Sequence, residues 1–151
     1  MRPPKADVVA CGPEASGTRA LMVNTERLCA PYDISVRHLS LPLGDWWWGP
    51  EDIAGEKTVI ITRRPDYQSI ACWKQGCARS AEEAAGEWPR AIATLASIPD
   101  AHWVLYEAMM ADAVTQFRGI CAFLGIDFDE RLLQRDDQWW PWRDENRKYY
   151  Q

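Results

Sequence analysis

Blocks of apolar residues alternate along the chain with segments of helical periodicity. Four short apolar or β-branched runs have the length of buried strands, and each ends at a glycine, a loop or a charged residue. These predicted strands span residues 7–11, 33–39, 58–62 and 102–106. Between them, apolar side chains recur every three or four positions, which is typical of helices packed on a sheet. The predicted helices begin after Gly17, at Asp66, near Ala81 and at Ala111.

Residues with strong conformational preferences mark the ends of these helices. Pro31 follows the first helix, and Asp66 is placed to cap the second. Gly86 and Pro89 predict a break or a new start within the third, which covers roughly residues 81–97. Gly125 predicts the end of the fourth.

Strands and helices that alternate in this way predict one α/β domain across residues 1–151. Right-handed crossovers then place parallel strands in one sheet. We expect a P-loop-containing parallel sheet of about four to five strands with helices on both faces. Apolar residues make up 47% of the chain, which is enough for a buried core.

Charge and cysteine content narrow the class of protein. The net charge is −5 without a basic block, which argues against a nucleic-acid partner. No apolar run reaches the length of a signal sequence or a membrane span. The five cysteines are odd in number and irregular in spacing, which predicts reduced, mostly buried thiols. We therefore expect a cytoplasmic protein without a membrane or nucleic-acid partner.

The segment from Gly12 to Arg19, GPEASGTR, joins the first predicted strand to the first helix. In such a loop, backbone N–H groups and the helix N-terminus together bind phosphate, although a simple strand-to-helix turn has similar residues. The NTPase form has lysine and then serine or threonine after the second glycine, whereas Thr18 and Arg19 stand here. The strand at 58–62 ends in arginines rather than an acidic metal ligand, so we predict no metal.

Three segments in this order resemble the sulfotransferase family that uses 3′-phosphoadenosine 5′-phosphosulfate (PAPS), especially its small, divergent phage- or bacterial-type members. They are SGTR at 16–19, VIITRRP at 59–65 with Ser69 downstream, and WVLYE at 103–107 followed by FLGI at 123–126. The resemblance covers about residues 7–133. It implies transfer of a sulfuryl group to a hydroxyl or amine of a small-molecule, glycan or peptide acceptor, with 3′-phosphoadenosine 5′-phosphate (PAP) as product.

The resemblance also implies binding residues for the donor. The loop would hold the 5′-phosphosulfate through Ala15, Ser16, Gly17, Thr18 and Arg19.

A second set of residues would hold the 3′-phosphate, namely Arg63 and Ser69. Their spacing is shorter than is usual in the family, so Arg64 is an alternative to Arg63. The family usually has a basic residue at the position of Ala15, and Arg143 or Lys148 are alternative sources of that charge, as is Arg19.

His38 is the candidate base for the acceptor proton, since it lies at the end of the second predicted strand, where ligands bind in α/β sheets. A histidine there can equally serve to hydrogen-bond the loop, and Glu14 and Asp45 are weaker candidates. We expect His102 to be structural, at the opposite edge of the sheet. Glu107 is expected to cap the segment that follows it.

Six of the nine tryptophans form two clusters, at 46–48 and 139–142. We favour a role in covering the core over a role as an aromatic pocket wall. The loop at 40–56 and the second cluster are candidate walls of the acceptor pocket. Two other functions stay open: a sulfotransferase-like nucleotide- or partner-binding protein without catalysis, and an atypical P-loop kinase.

Overall fold

The computed structural model describes residues 6–13, 16–41 and 56–134. Within these ranges it has a four-stranded parallel sheet in the order β2-β1-β3-β4. The strands are β1 (Val8–Pro13), β2 (Val36–Leu41), β3 (Lys57–Thr62) and β4 (His102–Leu105). The predicted α/β fold with a parallel sheet is therefore confirmed.

In the described ranges, five α-helices connect and cover these strands. They are α1 (Thr18–Cys29), α2 (Pro65–Lys74), α3 (Ala81–Ala96), α4 (Tyr106–Ala111) and α5 (Ala113–Leu124). Short 3-10 helices follow α1 at Ala30–Tyr32 and α5 at Glu130–Leu132.

The helices pack on both faces of the sheet, as the alternation of side chains along each strand requires. On one face, Ala10 of β1 belongs to the same core as Leu21 of α1 and Phe117 of α5. On the other face, Cys11 belongs to a core with Leu95 of α3. The predicted helices on both faces are thus confirmed, and the sheet is covered as a parallel sheet must be.

The second strand starts later than predicted. Asp33 has a left-handed backbone, with φ 55°, at the end of the 3-10 helix. Ser35 is held instead by Asp7, whose Oδ2 accepts hydrogen bonds of 2.9 Å from both the N–H and the hydroxyl of Ser35. The strand therefore begins only at Val36.

The predicted cap of α2 is wrong. The N-cap residue is Arg64, whose own side chain makes no capping hydrogen bond, and Asp66 lies within the first turn. Proline at the first helical position fixes a backbone angle that suits a helix start, so Pro65 moves the boundary forward.

The predicted break in α3 is also wrong. The helix is continuous from Ala81, and Ser80 caps it by accepting the Glu83 N–H at 3.1 Å. Pro89 lacks the N–H that would bond to the Ala85 carbonyl, but both residues are exposed, so water can take that place.

The fourth strand, predicted at 102–106, is one residue shorter than expected. β4 ends at Leu105, and Tyr106 begins the separate helix α4. Asp112 then caps α5, since its side chain accepts the Thr115 N–H at 3.1 Å. The predicted end at Gly125 is confirmed, with φ 75° there.

The thiols agree with the sequence prediction, because none of the five cysteines forms a disulfide and four are buried. Cys77 is the exposed one. No helix among the described residues is long and apolar enough to cross a membrane. Both tryptophan clusters and residues 42–55 of the long loop lie outside the described residues.

Candidate functional site

The carboxyl end of β1 leads into the N-terminus of α1, where two glycines are required by close packing. Gly17 is the N-cap residue, with φ 86°. A Cβ on Gly17 would lie 2.7 Å from Cδ2 of Tyr106. A Cβ on Gly12 would lie 2.3 Å from the carbonyl oxygen of Ile61. The two glycines thus let the backbone lie close to neighbouring elements, to β3 at Gly12 and to α4 at Gly17.

The start of α1 has the features of an anion site. The N-cap residue Gly17 has no side chain to cap the helix, although the first N–H groups of α1 carry the positive end of the helix dipole. Ser16 is fully buried, and its N–H donates to the Pro13 carbonyl at 3.2 Å. Its hydroxyl has no hydrogen-bond partner among the described residues. A buried polar group of this kind needs a partner, and a bound oxyanion would supply one.

Side chains from α1 and β2 meet beside this loop in a chain of hydrogen bonds. The Thr18 and Ser40 hydroxyl oxygens are 2.8 Å apart. The Ser40 hydroxyl lies 3.3 Å from Nε2 of His38. Alternation along β2 explains this, because residues two apart share one face of a strand. His38 is therefore connected to the loop through Ser40.

The electrostatic surroundings of His38 favour the neutral imidazole. Partial burial lowers the pKa of His38 below its ordinary value of 6.5, and the nearby positive charge of Arg19 lowers it further. A neutral imidazole has one nitrogen without a proton, which is what a general base needs.

Arg63 follows β3 and reaches the same region. It is 4% exposed, and its guanidinium carbon lies 4.3 Å from the centre of the Tyr106 ring. The same ring packs where a side chain on Gly17 would otherwise lie. Tyr106 thus brings a buried arginine to the loop, although the loop and β3 are far apart in the sequence.

Arg64 is directed elsewhere. Its guanidinium is 3.2 Å from Oδ2 of Asp66 and lies over the Tyr67 ring at 4.6 Å. Its backbone N–H donates to Oε1 of Glu107 at 2.9 Å. The expectation that Glu107 caps the segment after it is wrong, since it holds the start of α2 and Leu105 is the N-cap of α4.

Ser69 lies in the second turn of α2 and is buried. Its hydroxyl donates to the Asp66 carbonyl at 3.0 Å, a bond within its own helix. To donate to a phosphate, this hydroxyl would have to turn away from Asp66.

His102 begins β4, which is the edge strand opposite β2. Measured along the strands, however, it lies level with His38 and not at the opposite end. In the sheet register it shares a row with Val59, Ala10 and His38. Three strand spacings, about 14 Å, separate it from His38. Its ring stacks on Phe123 with centroids 5.3 Å apart, which fits the structural role expected of it.

Other candidates fall outside the part of the chain that the structure describes: Glu14, Ala15, Asp45, Arg143 and Lys148. Among the described residues, no group of three or more His, Cys, Asp or Glu side chains is arranged to hold a metal ion. Sequence reasoning missed Ser40, which period-2 alternation from His38 would have indicated. It also assigned no contact to Tyr106, and no local signal points to one.

The fold of this chain is similar to that of a solved sulfotransferase. A crystal structure of mouse sulfotransferase SULT7A1 complexed with PAP matches with a TM-score of 0.58 over 87% of this chain, at 17% sequence identity. The chain spans 62% of the length of that protein. Neither a protein-family model nor a curated protein sequence matches the chain.

Proposed function

We propose that this protein binds PAPS and transfers its sulfuryl group to a hydroxyl or amine acceptor. The observation that carries the proposal is the contact of one ring, that of Tyr106, with both Gly17 of the loop and the guanidinium of Arg63. Two anion-binding features thus adjoin the same side chain. A nucleotide with phosphate groups on both its 5′ and 3′ oxygens matches two such features. The PAP complex of the mouse sulfotransferase, which shares the fold, supports this ligand.

The 5′-phosphosulfate is proposed to bind at the start of α1. Backbone N–H groups after Gly17 would donate to it, and the buried Ser16 hydroxyl would gain its missing partner. Thr18 and Arg19 would add a hydroxyl and a positive charge. Ala15 belongs to the same proposed loop and lies outside the described residues.

The 3′-phosphate is proposed to bind Arg63, with Ser69 as a second donor. A planar guanidinium suits a phosphate because it donates two parallel hydrogen bonds. We prefer Arg63 to Arg64 because Arg64 is 58% exposed and is engaged with Asp66 and Tyr67.

In the proposed reaction, an acceptor oxygen or nitrogen forms a bond to sulfur while the bond from sulfur to the 5′-phosphate oxygen breaks. The acceptor proton passes to Nε2 of His38, and PAP leaves with the electron pair of the broken bond. The lowered pKa of His38 keeps its imidazole neutral and able to accept that proton. Positive charge from Arg19 and the dipole of α1 would stabilise the departing phosphate.

The acceptor and the cytoplasmic location belong to the proposal and rest on the sequence. Membership of the small phage- or bacterial-type sulfotransferases is also part of the proposal and rests on the sequence, since the solved neighbour is a mouse protein.

Turnover of PAPS against a panel of phenols, sugars and peptides tests this function. We expect PAP to accumulate together with a product heavier by one sulfuryl group, read by mass spectrometry. The control without acceptor measures simple hydrolysis of the donor. His38→Ala should cut the rate at least about a hundredfold while PAP still binds, as expected for loss of a general base.

A second function is a PAP-binding protein of the same fold that does not catalyse transfer. The observation in its favour is Ala15, which stands where the sulfotransferase family usually has a basic residue. PAP binding without a sulfated product from any acceptor class would support this second function and contradict the first.

A further inference from the structure

Ser40 places a hydroxyl between the anion-binding loop and His38. Its oxygen lies 2.8 Å from the Thr18 hydroxyl and 3.3 Å from Nε2 of His38. Ser40 pairs with Gly12 in the sheet, and a Cβ on Gly12 would lie 3.1 Å from Cγ2 of Thr18. The absence of a side chain at Gly12 therefore lets the start of α1 approach β2.

The direction of the two hydrogen bonds that join Thr18, Ser40 and His38 follows from the number of protons available. If His38 is to accept a proton at Nε2, that nitrogen must be bare, so the Ser40 hydroxyl donates to it. Ser40 then accepts from Thr18. Thr18 has a single hydroxyl proton, and donating it to a phosphosulfate oxygen withdraws it from Ser40. Ser40 then has no donor and can turn its own proton to the Thr18 oxygen, which leaves Nε2 of His38 free to take the acceptor proton. Binding of an anion at Thr18 is in this way linked to the hydrogen bonding of His38.

We propose that Ser40 is a positioning residue that couples occupancy of the nucleotide loop to the orientation and hydrogen bonding of the His38 ring. The proposal rests on the proposed function, since it needs a nucleotide at Thr18. Ser40 acts through the His38 ring and not on the substrate. It holds the His38 ring while the loop is empty and transmits the change when the loop is filled.

Among the described residues, Arg19 and Ser40 both act on His38. The charge of Arg19 lowers its pKa, and the Ser40 hydroxyl lies within hydrogen-bond distance of its ring. The residue paired with it on β1 is Ala10, which does not titrate. Removing the Ser40 hydroxyl separates a response carried by Ser40 from one carried by Arg19 or by the nucleotide itself.

The experiment is an NMR titration of the histidine ring signals with PAP. The chain has two histidines, so two sets of ring signals are expected, and His102→Gln assigns them. His102, stacked on Phe123 and three strands away, is an internal control. The variants are Ser40→Ala, which removes the hydroxyl, and Ser40→Thr, which restores one on a strand that favours β-branched residues. Ser97→Ala, at the residue that follows α3, is a matched control.

At saturating PAP, we expect the His38 signals to shift in the unmodified protein, in Ser40→Thr and in Ser97→Ala. Ser40→Ala should lose most of that shift, and His102 should not move in any of them. An equal shift in Ser40→Ala would overturn the proposal and leave the proposed function standing, as would PAP binding that leaves His38 unchanged. Calorimetry that detects no PAP binding would instead contradict the proposed function, and with it this coupling.

Discussion

The guanidinium of Arg63 lies over the ring of Tyr106, with 4.3 Å between the guanidinium carbon and the ring centre. Arg63 follows β3 and Tyr106 follows β4, two strands that are neighbours in the sheet. The ring also fills the space beside Gly17. This relationship is what brings a buried arginine to the loop before α1.

The two arginines after β3 should differ in their effect on PAP affinity. Arg63→Ala should weaken binding about 10- to 100-fold, because a hydrogen bond to a charged group contributes ~1.5–3 kcal/mol. Arg64→Ala should change it by less than about threefold, since its exposed pair with Asp66 is of the weak surface kind. Calorimetry with PAP measures both, and the reverse order would show that Arg64 holds the 3′-phosphate.

Tyr106 should matter through its ring. Tyr106→Leu removes the aromatic face under Arg63, which costs roughly 0.5–2 kcal/mol of cation–π attraction and should lower PAP affinity. Tyr106→Phe keeps the ring and is the matched variant, so it should bind PAP more tightly than Tyr106→Leu. Equal affinities for the two variants would mean that the stacking does not position Arg63.

Gly17 should be the most costly of the left-handed glycines to replace. Gly17 and Gly125 both have positive φ, so alanine at either site loses about 1 kcal/mol of stability. At Gly17 the new Cβ would also press on Tyr106, whereas nothing lies within 4 Å at Gly125. Overpacking of this kind adds roughly 1–3 kcal/mol. Chemical denaturation should therefore show a larger loss for Gly17→Ala, and equal losses would contradict the contact.

The pH dependence of turnover should follow His38. A base must be unprotonated, and the pKa of His38 is lowered from 6.5, so the midpoint of the acid limb of the rate should lie below pH 6.5. Arg19→Gln removes a positive charge that lowers this pKa, so it should raise the pKa and move the acid limb to higher pH. The rate at saturating donor measures the limb. A limb that stays in place in Arg19→Gln, or moves to lower pH, would contradict the electrostatic account.

Thiol labelling should separate one cysteine from the other four. Burial raises the pKa of Cys11 to about 12 and the pKa of Cys29 and Cys121 to about 11. Cys72 is fully buried, and Cys77 is exposed. Because the thiolate is the reactive form, iodoacetamide at neutral pH should label Cys77 in the folded protein and all five after unfolding. Rapid labelling of Cys11 in the folded protein would contradict the packing of β1.

The central part of the fold was predictable because its signals are local. The run before Gly12 and the run at 58–62 are short and apolar, although β1 continues through Gly12 to Pro13. The boundaries that sequence reasoning missed depend on contacts between distant residues. Ser35 is held by Asp7, 28 positions away, and this delays β2. Exposure of Ala85 and Pro89, which lets α3 continue, is a property of the packed domain.

The candidate site also has features that local sequence predicts and features that depend on packing. The loop and Arg63 follow from motifs, whereas their meeting depends on the sheet order and on the Tyr106 ring between them. Ser40 was within reach of the pattern, because it lies two residues after His38 on one strand. Its distance of 2.8 Å from Thr18 was not, because that depends on how α1 packs against β2.

Calorimetry of PAP binding with and without magnesium tests the central claim most directly. We predict that PAP binds equally well without the metal and more tightly than adenosine 5′-phosphate, which lacks the 3′-phosphate. Arg63→Ala should weaken the binding of PAP and abolish its preference over adenosine 5′-phosphate. Tight binding of ATP that requires magnesium, with no preference for a 3′-phosphate, would contradict a sulfonucleotide site and point to a P-loop kinase.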